Sequence, residues 1–428
     1  MLSNLKKQFM GNFVLKLILS LLGIINTVFI AYIMTGEDAG YLFFSINAVS
    51  LLAIVLRMGL DLPITRDIGT AKGRSFKFII IDNCFTIIVS IFALGALAST
   101  LFYLLTLFLS VSLEIRLLQQ SLVFAVFVGV TVTLGYVYIG MGYSKLAQFS
   151  HGGYTAITLF LGLVVLFSIK GVVDFKSALF VYYIAIVSAL LFSLYPIYSK
   201  KRFIRAPKSF NAALVRKAVS SFWLPRILFT SFSYLPVILI GLIGSNEHAA
   251  VYAVIAKVTL AITMVNETVV NFFTAKIAKA FNSGNLNLSQ SHSKTVSTLN
   301  IALTIPICIL LIFLALYGLD VLGAIYNEGF IPLTILLLCY ALSLSFGPVR
   351  ILLTMGHQEK VLLYSALMSF SLFISLALGL YPLIGLLGVA IAQGMAILAS
   401  AMFCAYRIYC VQKFWALPSF RLILKLVL

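Results

Sequence analysis

Long hydrophobic runs alternate with short polar connections along the whole chain. A helix that crosses a bilayer needs about 20 mostly apolar residues, and twelve runs meet or approach that length. A transmembrane barrel would instead show short strands with alternating polarity, and this pattern is not seen. The predicted spans are 9–34, 41–60, 78–105, 119–139, 154–169, 177–198, 218–244, 249–272, 296–318, 331–355, 361–380 and 385–409. The pattern predicts an all-α polytopic membrane protein with twelve transmembrane helices.

The composition agrees with this prediction. Of the 428 residues, 62% are hydrophobic and only 10% are charged, whereas soluble domains have about 25% charged residues. A soluble enzyme, a disulfide-rich secreted domain and a disordered protein are therefore excluded. The five cysteines lie inside or at the ends of predicted spans without a Cys-x-x-Cys pair, which favours buried packing over metal or redox chemistry. We expect no cofactor.

The net charge of +18 is distributed unevenly over the connections. One set holds most of the Lys and Arg residues, and it comprises the N-terminus, 61–77, 140–150, 199–217, 273–295, 356–360 and the C-terminal tail. The opposite set is acidic, with Glu37, Asp38, Glu114, Asp174, Glu247, Asp320 and Glu328. By the positive-inside rule, both termini are predicted to be cytoplasmic. Because most of the Lys and Arg residues lie in connections between long hydrophobic segments, nucleic acid is not expected as a partner. The acidic connections are short, which argues against an enzyme acting on the outer face.

The two halves of the chain contain similar sequence patterns. Tyr41 and Tyr252 end related stretches that precede spans 2 and 8, and they lie 211 positions apart. Gly142 and Gly356 precede spans 5 and 11 at a separation of 214. Six spans per half indicate parallel repeats, and a transporter with its site between two bundles is the expected consequence. We predict an N-terminal six-helix bundle with its linker at 1–208 and a C-terminal bundle at 209–428.

Several charged residues fall within the predicted spans. The cations are Lys16, Arg57, Arg226, Lys257 and Arg350, and the acids are Asp82 and Glu267. A charge near the bilayer centre costs about 2.5–3.5 kcal/mol on insertion scales, so it normally faces a cavity or a partner. Lys16 and Arg226 are 210 positions apart and occupy corresponding places in the two halves. The excess of cations predicts a central cationic lumen for an anionic substrate, and a diphosphate would match several such groups at once.

Other interpretations remain open for these residues. Arg57 and Arg350 lie near cytoplasmic helix ends, where long cationic side chains can reach the headgroups. Asp82 and Glu267 could pair with Arg57 or Arg350 as an inner gate, bind a coupling ion, or form simple structural ion pairs. Asp61, at the end of span 2, is a third candidate for gating or coupling. Pro225 and Pro236 in span 7, and Pro348 in span 10, are expected to bend those helices.

Three stretches resemble a known transporter family. They are Ala39-Gly40-Tyr41, Leu56 to Arg66 at the end of span 2, and Gly385 to Ala392 at the start of span 12. With the span count and the loop pattern, they resemble the Wzx-type O-antigen or oligosaccharide repeat-unit flippases of the polysaccharide transporter family. That family belongs with the multidrug exporters and the lipid II flippase in one superfamily. The chain lacks the two additional spans of a lipid II flippase.

The resemblance implies two six-helix bundles around a cationic lumen in the bacterial cytoplasmic (inner) membrane. It implies export of an undecaprenyl-diphosphate-linked oligosaccharide by alternating access, without enzymatic chemistry. The lumen role is transferred only to Lys16, Arg57, Arg226, Lys257 and Arg350. Expected partners are this lipid-linked substrate, membrane lipids, and a polysaccharide polymerase with its chain-length machinery. Coupling to protons, sodium ions or the membrane potential is left open. An ion-coupled multidrug or cation antiporter of the same superfamily is the alternative, and it would depend on Asp82 or Glu267.

Overall fold

The computed structural model of the chain describes residues 2–70, 75–107, 112–199, 210–219, 223–283, 285–356 and 358–419. Regular structure in these residues is entirely helical, which confirms the predicted all-α class. By length and composition, eleven helical segments among the described residues could cross a membrane. These segments correspond to all predicted spans except 218–244.

The helices follow one another with short connections. Those up to the middle of the chain are α1 (Leu2–Ile33), α2 (Gly36–Leu56), α3 (Asp61–Thr70), α4 (Ser75–Leu107), α5 (Leu113–Gly140), α6 (Ser144–Gln148), α7 (Tyr154–Lys170), α8 (Phe175–Ser199) and α9 (Ala212–Ala218). They are followed by α10 (Leu224–Ser231), α11 (Leu235–Ile243), α12 (Asn246–Asn282), α13 (Leu286–Leu322), α14 (Phe330–Ser345), α15 (Val349–Met355), α16 (Glu359–Ile384) and α17 (Leu386–Gln412). A π-helical kink at Phe149–Gly153 joins α6 to α7.

The described residues divide into two compact units, 1–253 and 254–428. In the first unit, α5 lies at the centre and packs against α2, α3, α4 and α8. In the second unit, α17 packs against α14, α15 and α16. The division lies further along the chain than the predicted boundary at 208/209, because α10 and α11 pack against α2. The predicted boundary between sequence repeats remains a prediction.

The predicted seventh span, 218–244, is not one continuous helix. The chain forms α10 and α11, separated by a turn at 232–234. Each of these helices has a proline in its first turn, Pro225 in α10 and Pro236 in α11. Proline fits there because its missing N–H has no intrahelical partner at a helix start. The predicted bend is therefore a complete break.

The predicted tenth span is interrupted in a similar way. Helix α14 ends at Ser345 and α15 begins at Val349. Gly347 between them has φ +79°, and Pro348 caps α15. Arg350 is therefore in the first turn of a short helix.

The predicted connection 61–77 also differs from expectation, because its first part is helix α3. Asp61, Ile64 and Ile68 of this helix are buried, and α3 packs against α5. Burial of the isoleucines explains why this polar stretch does not remain an exposed loop. The correction moves Asp61 from a surface connection into the protein interior.

The two related sequence motifs adopt the same local structure. The Thr35 hydroxyl caps α2 by accepting a hydrogen bond from the Asp38 N–H. The Ser245 hydroxyl accepts from the His248 N–H in the same way at the start of α12. The two motifs also meet, because Gly40 packs directly against the backbone of Asn246. A side chain at position 40 would overlap that backbone.

Substitution of Gly40 tests this close contact. We expect Gly40→Ala to destabilise the protein by about 1–3 kcal/mol, because the added methyl group must displace backbone atoms. The measurement is thermal unfolding of the purified protein in detergent. Gly23→Ala is the matched control, since a Cβ on Gly23 of α1 would meet no atom within 4 Å. That control should be neutral or stabilising by up to about 1 kcal/mol, and equal effects of the two variants would contradict the prediction.

Candidate functional site: a charged cluster in the first unit

The predicted charged residues divide between the two units. Lys16, Arg57, Asp61, Asp82 and Arg226 belong to the first, and Lys257, Glu267 and Arg350 belong to the second. Among those of the first unit, Asp61 contacts both Arg57 and Arg226. We call these three residues the charged cluster.

The turn between α2 and α3 brings Arg57 and Asp61 together. Arg57 caps the C-terminus of α2, and the next two residues, Met58 and Gly59, have φ values of +51° and +71°. A positive φ at a non-glycine residue is uncommon and costs energy. The Arg57 Nη1 lies 3.2 Å from Asp61 Oδ2, and the two side chains are 8% and 4% exposed. The Arg57 Nε also donates to the Ala53 carbonyl at 3.3 Å, so the guanidinium is held at two points.

Arg226 approaches the same carboxylate from α10. Its Nη2 lies 3.6 Å from Asp61 Oδ2, and its side chain is 42% exposed. The same nitrogen donates a hydrogen bond to the Tyr136 hydroxyl at 2.9 Å. Asp61 is therefore shared by a buried guanidinium at the shorter distance and an exposed one at the longer distance. This arrangement leaves one face of Arg226 accessible to a ligand.

The carboxylate in contact with Arg57 is that of Asp61. The reason is local, since the turn between α2 and α3, with positive φ at Met58 and Gly59, brings Arg57 and Asp61 together. Pairing of Arg57 with Asp82 or Glu267 is one of the alternatives that the sequence leaves open. Asp82 is half-buried in α4 and Glu267 is exposed on α12. Pairing of either acid with Arg350, and a coupling role for either, remain predictions.

Two aromatic residues complete the surroundings of the charged cluster, and sequence reasoning missed both. The Tyr136 ring lies 4.6 Å from the His151 ring, centre to centre. His151 sits in the kink at 149–153, where Gly152 has φ +110°. The ring of His151 packs against Gly135, at which any side chain would collide with it. Neither aromatic carries a sequence signal, because each is remote in the chain from the arginines.

Hydrogen bonds tie these elements to one another. The Thr65 hydroxyl donates to the carbonyls of Asp61 and Tyr136, each at 3.1 Å. The Trp223 indole N–H donates to the Val55 carbonyl at 2.8 Å. Bonds from α3 to α5, and from the residue before α10 to α2, fix the helix ends that carry the charged cluster. A rigid supporting framework of this kind suits a binding site.

The remaining predicted cations differ in their surroundings. Lys16 has an exposed side chain on α1, and it acts electrostatically on His151 together with Arg57 and Arg226. Lys257 is half-buried on α12, and Arg350 is exposed on α15 within electrostatic reach of Tyr340. Lys16 therefore acts on the same histidine as Arg57 and Arg226, and both of these arginines contact the carboxylate of Asp61. The local excess of positive charge can bind an anion through charge-assisted hydrogen bonds.

Removal of the Tyr136 hydroxyl tests whether Arg226 must be positioned. We expect Tyr136→Phe to weaken binding of inorganic pyrophosphate about three- to tenfold, because a hydrogen bond to a charged group is lost. Isothermal titration calorimetry on the purified protein measures this change. Tyr195→Phe on α8, whose side chain is exposed, should leave the affinity unchanged. An unaltered affinity in Tyr136→Phe would show that Arg226 does not depend on this contact.

Several solved transporters share the architecture of the chain. The lipid II flippase MurJ, in an inward closed conformation, superposes with a TM-score of 0.71 at 15% sequence identity, over 93% of this chain and 87% of the other. An inward-facing multidrug resistance MATE family transporter of the MOP superfamily gives 0.66 at 15% identity, over 94% and 99% of the two chains. The chain has the fold of the MOP-superfamily transporters.

Another MOP-superfamily transporter also shares the fold. It is a transporter from Pyrococcus furiosus described as having a binding pocket of reverse polarity, with a TM-score of 0.58 at 13% identity, over 94% of this chain and 95% of that one. No protein-family model matches the sequence, and no curated protein matches it significantly. At such identities these likenesses show the fold alone.

Proposed function

We propose that the protein is a flippase for an undecaprenyl-diphosphate-linked oligosaccharide, such as an O-antigen repeat unit. It would move this lipid from the cytoplasmic to the outer leaflet of the bacterial inner membrane by alternating access. The observation that carries the proposal is the charged cluster, in which both Arg57 and Arg226 contact the carboxylate of Asp61, while Lys16 acts electrostatically on the adjacent His151. Its positive excess selects for an anionic group in the substrate.

The exposed guanidinium of Arg226 is the proposed primary contact for the diphosphate. A guanidinium presents several N–H donors in one plane and can bind two phosphate oxygens at once. Arg57 is buried and already bonded to Asp61 and to the Ala53 carbonyl. It is therefore proposed to attract the diphosphate through its charge and to make no direct contact with it. Lys16, Lys257 and Arg350 are proposed to contact the head group at other stages of transport. The polyprenyl chain would remain in the lipid phase during this movement.

The membrane potential supplies a driving force for such a substrate. An inside-negative potential favours outward movement of an anion by about 2.3 kcal/mol per charge per 100 mV. If both termini are cytoplasmic, as the charge distribution predicts, outward movement of a diphosphate needs no cation symport. Coupling to protons or sodium ions through Asp61, Asp82 or Glu267 is a further proposal.

The decisive experiment follows the substrate in cells that lack the protein. We expect lipid-linked repeat units to accumulate on the cytoplasmic face and surface glycan to disappear. Complementation with the wild-type gene should restore surface glycan. A normal distribution of lipid-linked units in the deletion strain would reject the proposed function. A polysaccharide polymerase and its chain-length machinery would act on the exported units and are proposed as partners.

An ion-coupled multidrug or cation antiporter is the second candidate, because a MATE family transporter shares the fold. This candidate predicts that Asp82 or Glu267 is essential, since a cationic drug and a coupling ion both need a carboxylate. The excess of cations around Asp61 disfavours it. Increased sensitivity of the deletion strain to toxic cations, with normal surface glycan, would favour the antiporter.

A further inference from the structure

The two contacts of Asp61 differ in strength and accessibility. On one side, the Arg57 guanidinium is buried, belongs to the same chain segment and donates to both carboxylate oxygens at 3.2 and 3.4 Å. On the other, Arg226 lies at 3.6 Å, beyond good hydrogen-bond length, and is 42% exposed. Arg226 can therefore leave the carboxylate without exposing a buried, uncompensated charge, since Arg57 remains bound to Asp61.

The carboxylate occupies the position of an anionic ligand relative to Arg226. A carboxylate and a phosphate offer the same kind of acceptor oxygen to a guanidinium. A phosphate that approaches the exposed face of Arg226 must therefore compete with Asp61 for the same cation. Tyr136 keeps Arg226 in place during this exchange, because its hydroxyl accepts from the same Nη2 atom at 2.9 Å.

We propose that Asp61 is an internal competitor that occupies Arg226 when the site is empty and is displaced by the phosphate of the substrate. This inference rests on the proposed function and deepens it. Asp61 would limit the affinity for the anionic head, so that the head can be released after transport. It would act through Arg226 and would not itself contact the phosphate.

The proposal predicts an effect opposite to that of a structural role. If Asp61 only maintains the geometry of the site, its loss weakens anion binding. If it competes for Arg226, its loss tightens anion binding. Two unit charges 3.6 Å apart interact by about 1 kcal/mol at the dielectric constant of water, and removal of this competing attraction corresponds to about five- to tenfold in affinity.

The experiment measures binding of inorganic pyrophosphate to the purified full-length protein by isothermal titration calorimetry at low salt. Asp61→Asn, which keeps the shape of the side chain, should bind pyrophosphate about five- to tenfold more tightly than the wild type. Asp174→Asn is the matched control, because Asp174 is an exposed carboxylate that pairs with Lys170 in a connection of the same unit. It should leave the affinity unchanged.

A second variant tests whether misfolding or a change of net charge explains the result. Arg57→Gln/Asp61→Asn removes the buried pair together, so the net charge of the cluster is the same as in the wild type. Arg226 nevertheless has no carboxylate competitor in this variant, and binding should be tighter than in the wild type by about threefold or more. A pure net-charge effect predicts an unchanged affinity.

The outcomes separate this inference from the proposed function. If the wild type binds pyrophosphate and Arg226→Gln abolishes binding, the anion site is supported. Equal or weaker binding by folded Asp61→Asn and by the double variant would then overturn the competitor role alone. If the wild type does not bind pyrophosphate, both the anion site of the proposed function and the role of Asp61 are rejected.

Discussion

Reversal of charge at Arg226 is expected to abolish export of the lipid-linked glycan. Arg226→Glu places a second carboxylate beside Asp61, which the wild-type Arg226 Nη2 approaches to 3.6 Å. Attraction of the diphosphate is replaced by repulsion, and the Tyr136 hydroxyl loses its donor. A combined loss of about 3 kcal/mol corresponds to more than about 100-fold in binding. We therefore expect a deletion strain complemented with Arg226→Glu to show about 100-fold less surface glycan than the wild type.

The control for this variant is Arg116→Glu. Arg116 is an exposed arginine in the first turn of α5, where an acidic residue is favoured by the helix dipole. It should therefore insert and export glycan normally. Membrane levels of all variants are compared by immunoblotting of the membrane fraction. If Arg226→Glu is present at wild-type levels and supports normal surface glycan, the charged cluster is not the substrate site.

Removal of Arg57 is expected to destabilise the first unit strongly. Arg57→Ala leaves the 4%-exposed carboxylate of Asp61 without its buried partner. Breaking a buried ion pair by removal of one member costs about 3–5 kcal/mol, because the remaining charge is poorly solvated. Arg226 contacts Asp61 only at 3.6 Å, so it compensates in part. The measurement is the free energy of unfolding of the purified protein in detergent, from denaturant titration.

A second ion pair of the same spacing provides the control. Lys170 and Asp174 are also four residues apart, but their side chains are 45% and 52% exposed. Hydrogen bonds from Lys170 and Ser177 hold the pKa of Asp174 well below its usual range, so this pair is fully ionised at neutral pH. Lys170→Ala should cost only about 0.2–1 kcal/mol, as is typical of exposed pairs. Similar losses in the two variants would show that burial does not determine the strength of the Arg57 pair.

A compensating substitution extends the test of Arg57. Arg57→Met combined with Asp61→Leu replaces the buried charges by apolar groups of comparable size. Because neither buried charge is left without its partner, this variant should recover most of the stability that Arg57→Ala loses. It should still fail to support export if Asp61 is needed to release the anionic head from Arg226. Recovered stability with normal export would restrict both residues to a structural role.

The sequence contained part of the information on this site. Arg57 was identified as an intramembrane cation, and Asp61 follows it by four positions, which is the spacing of neighbours around a helix. The apolar run ends near residue 60, however, so the sequence predicts a surface connection for the segment that begins with Asp61. Only the packing of Ile64 and Ile68 of α3 against the interior showed that this segment is buried.

Contacts between distant parts of the chain had no counterpart in the sequence pattern. Arg226 reaches Tyr136, which is 90 positions earlier, and His151 lies against Tyr136 only because the chain kinks at Gly152. Hydropathy reports which segments are apolar and how long they are. It does not report which helix ends meet, because many pairings bury the same apolar area.

The sequence by itself determined the all-α membrane class, the positions of the long helices and the excess of cations within them. Helix length, proline positions and hydrophobicity are local properties, so they can be read without knowing which helices touch. The tertiary structure alone decided that Asp61 is the carboxylate shared by Arg57 and Arg226 in the first unit. Ion pairing depends on distances of 3–4 Å between side chains. The distance from Arg226 to Asp61 is set by packing between segments that are remote in the chain.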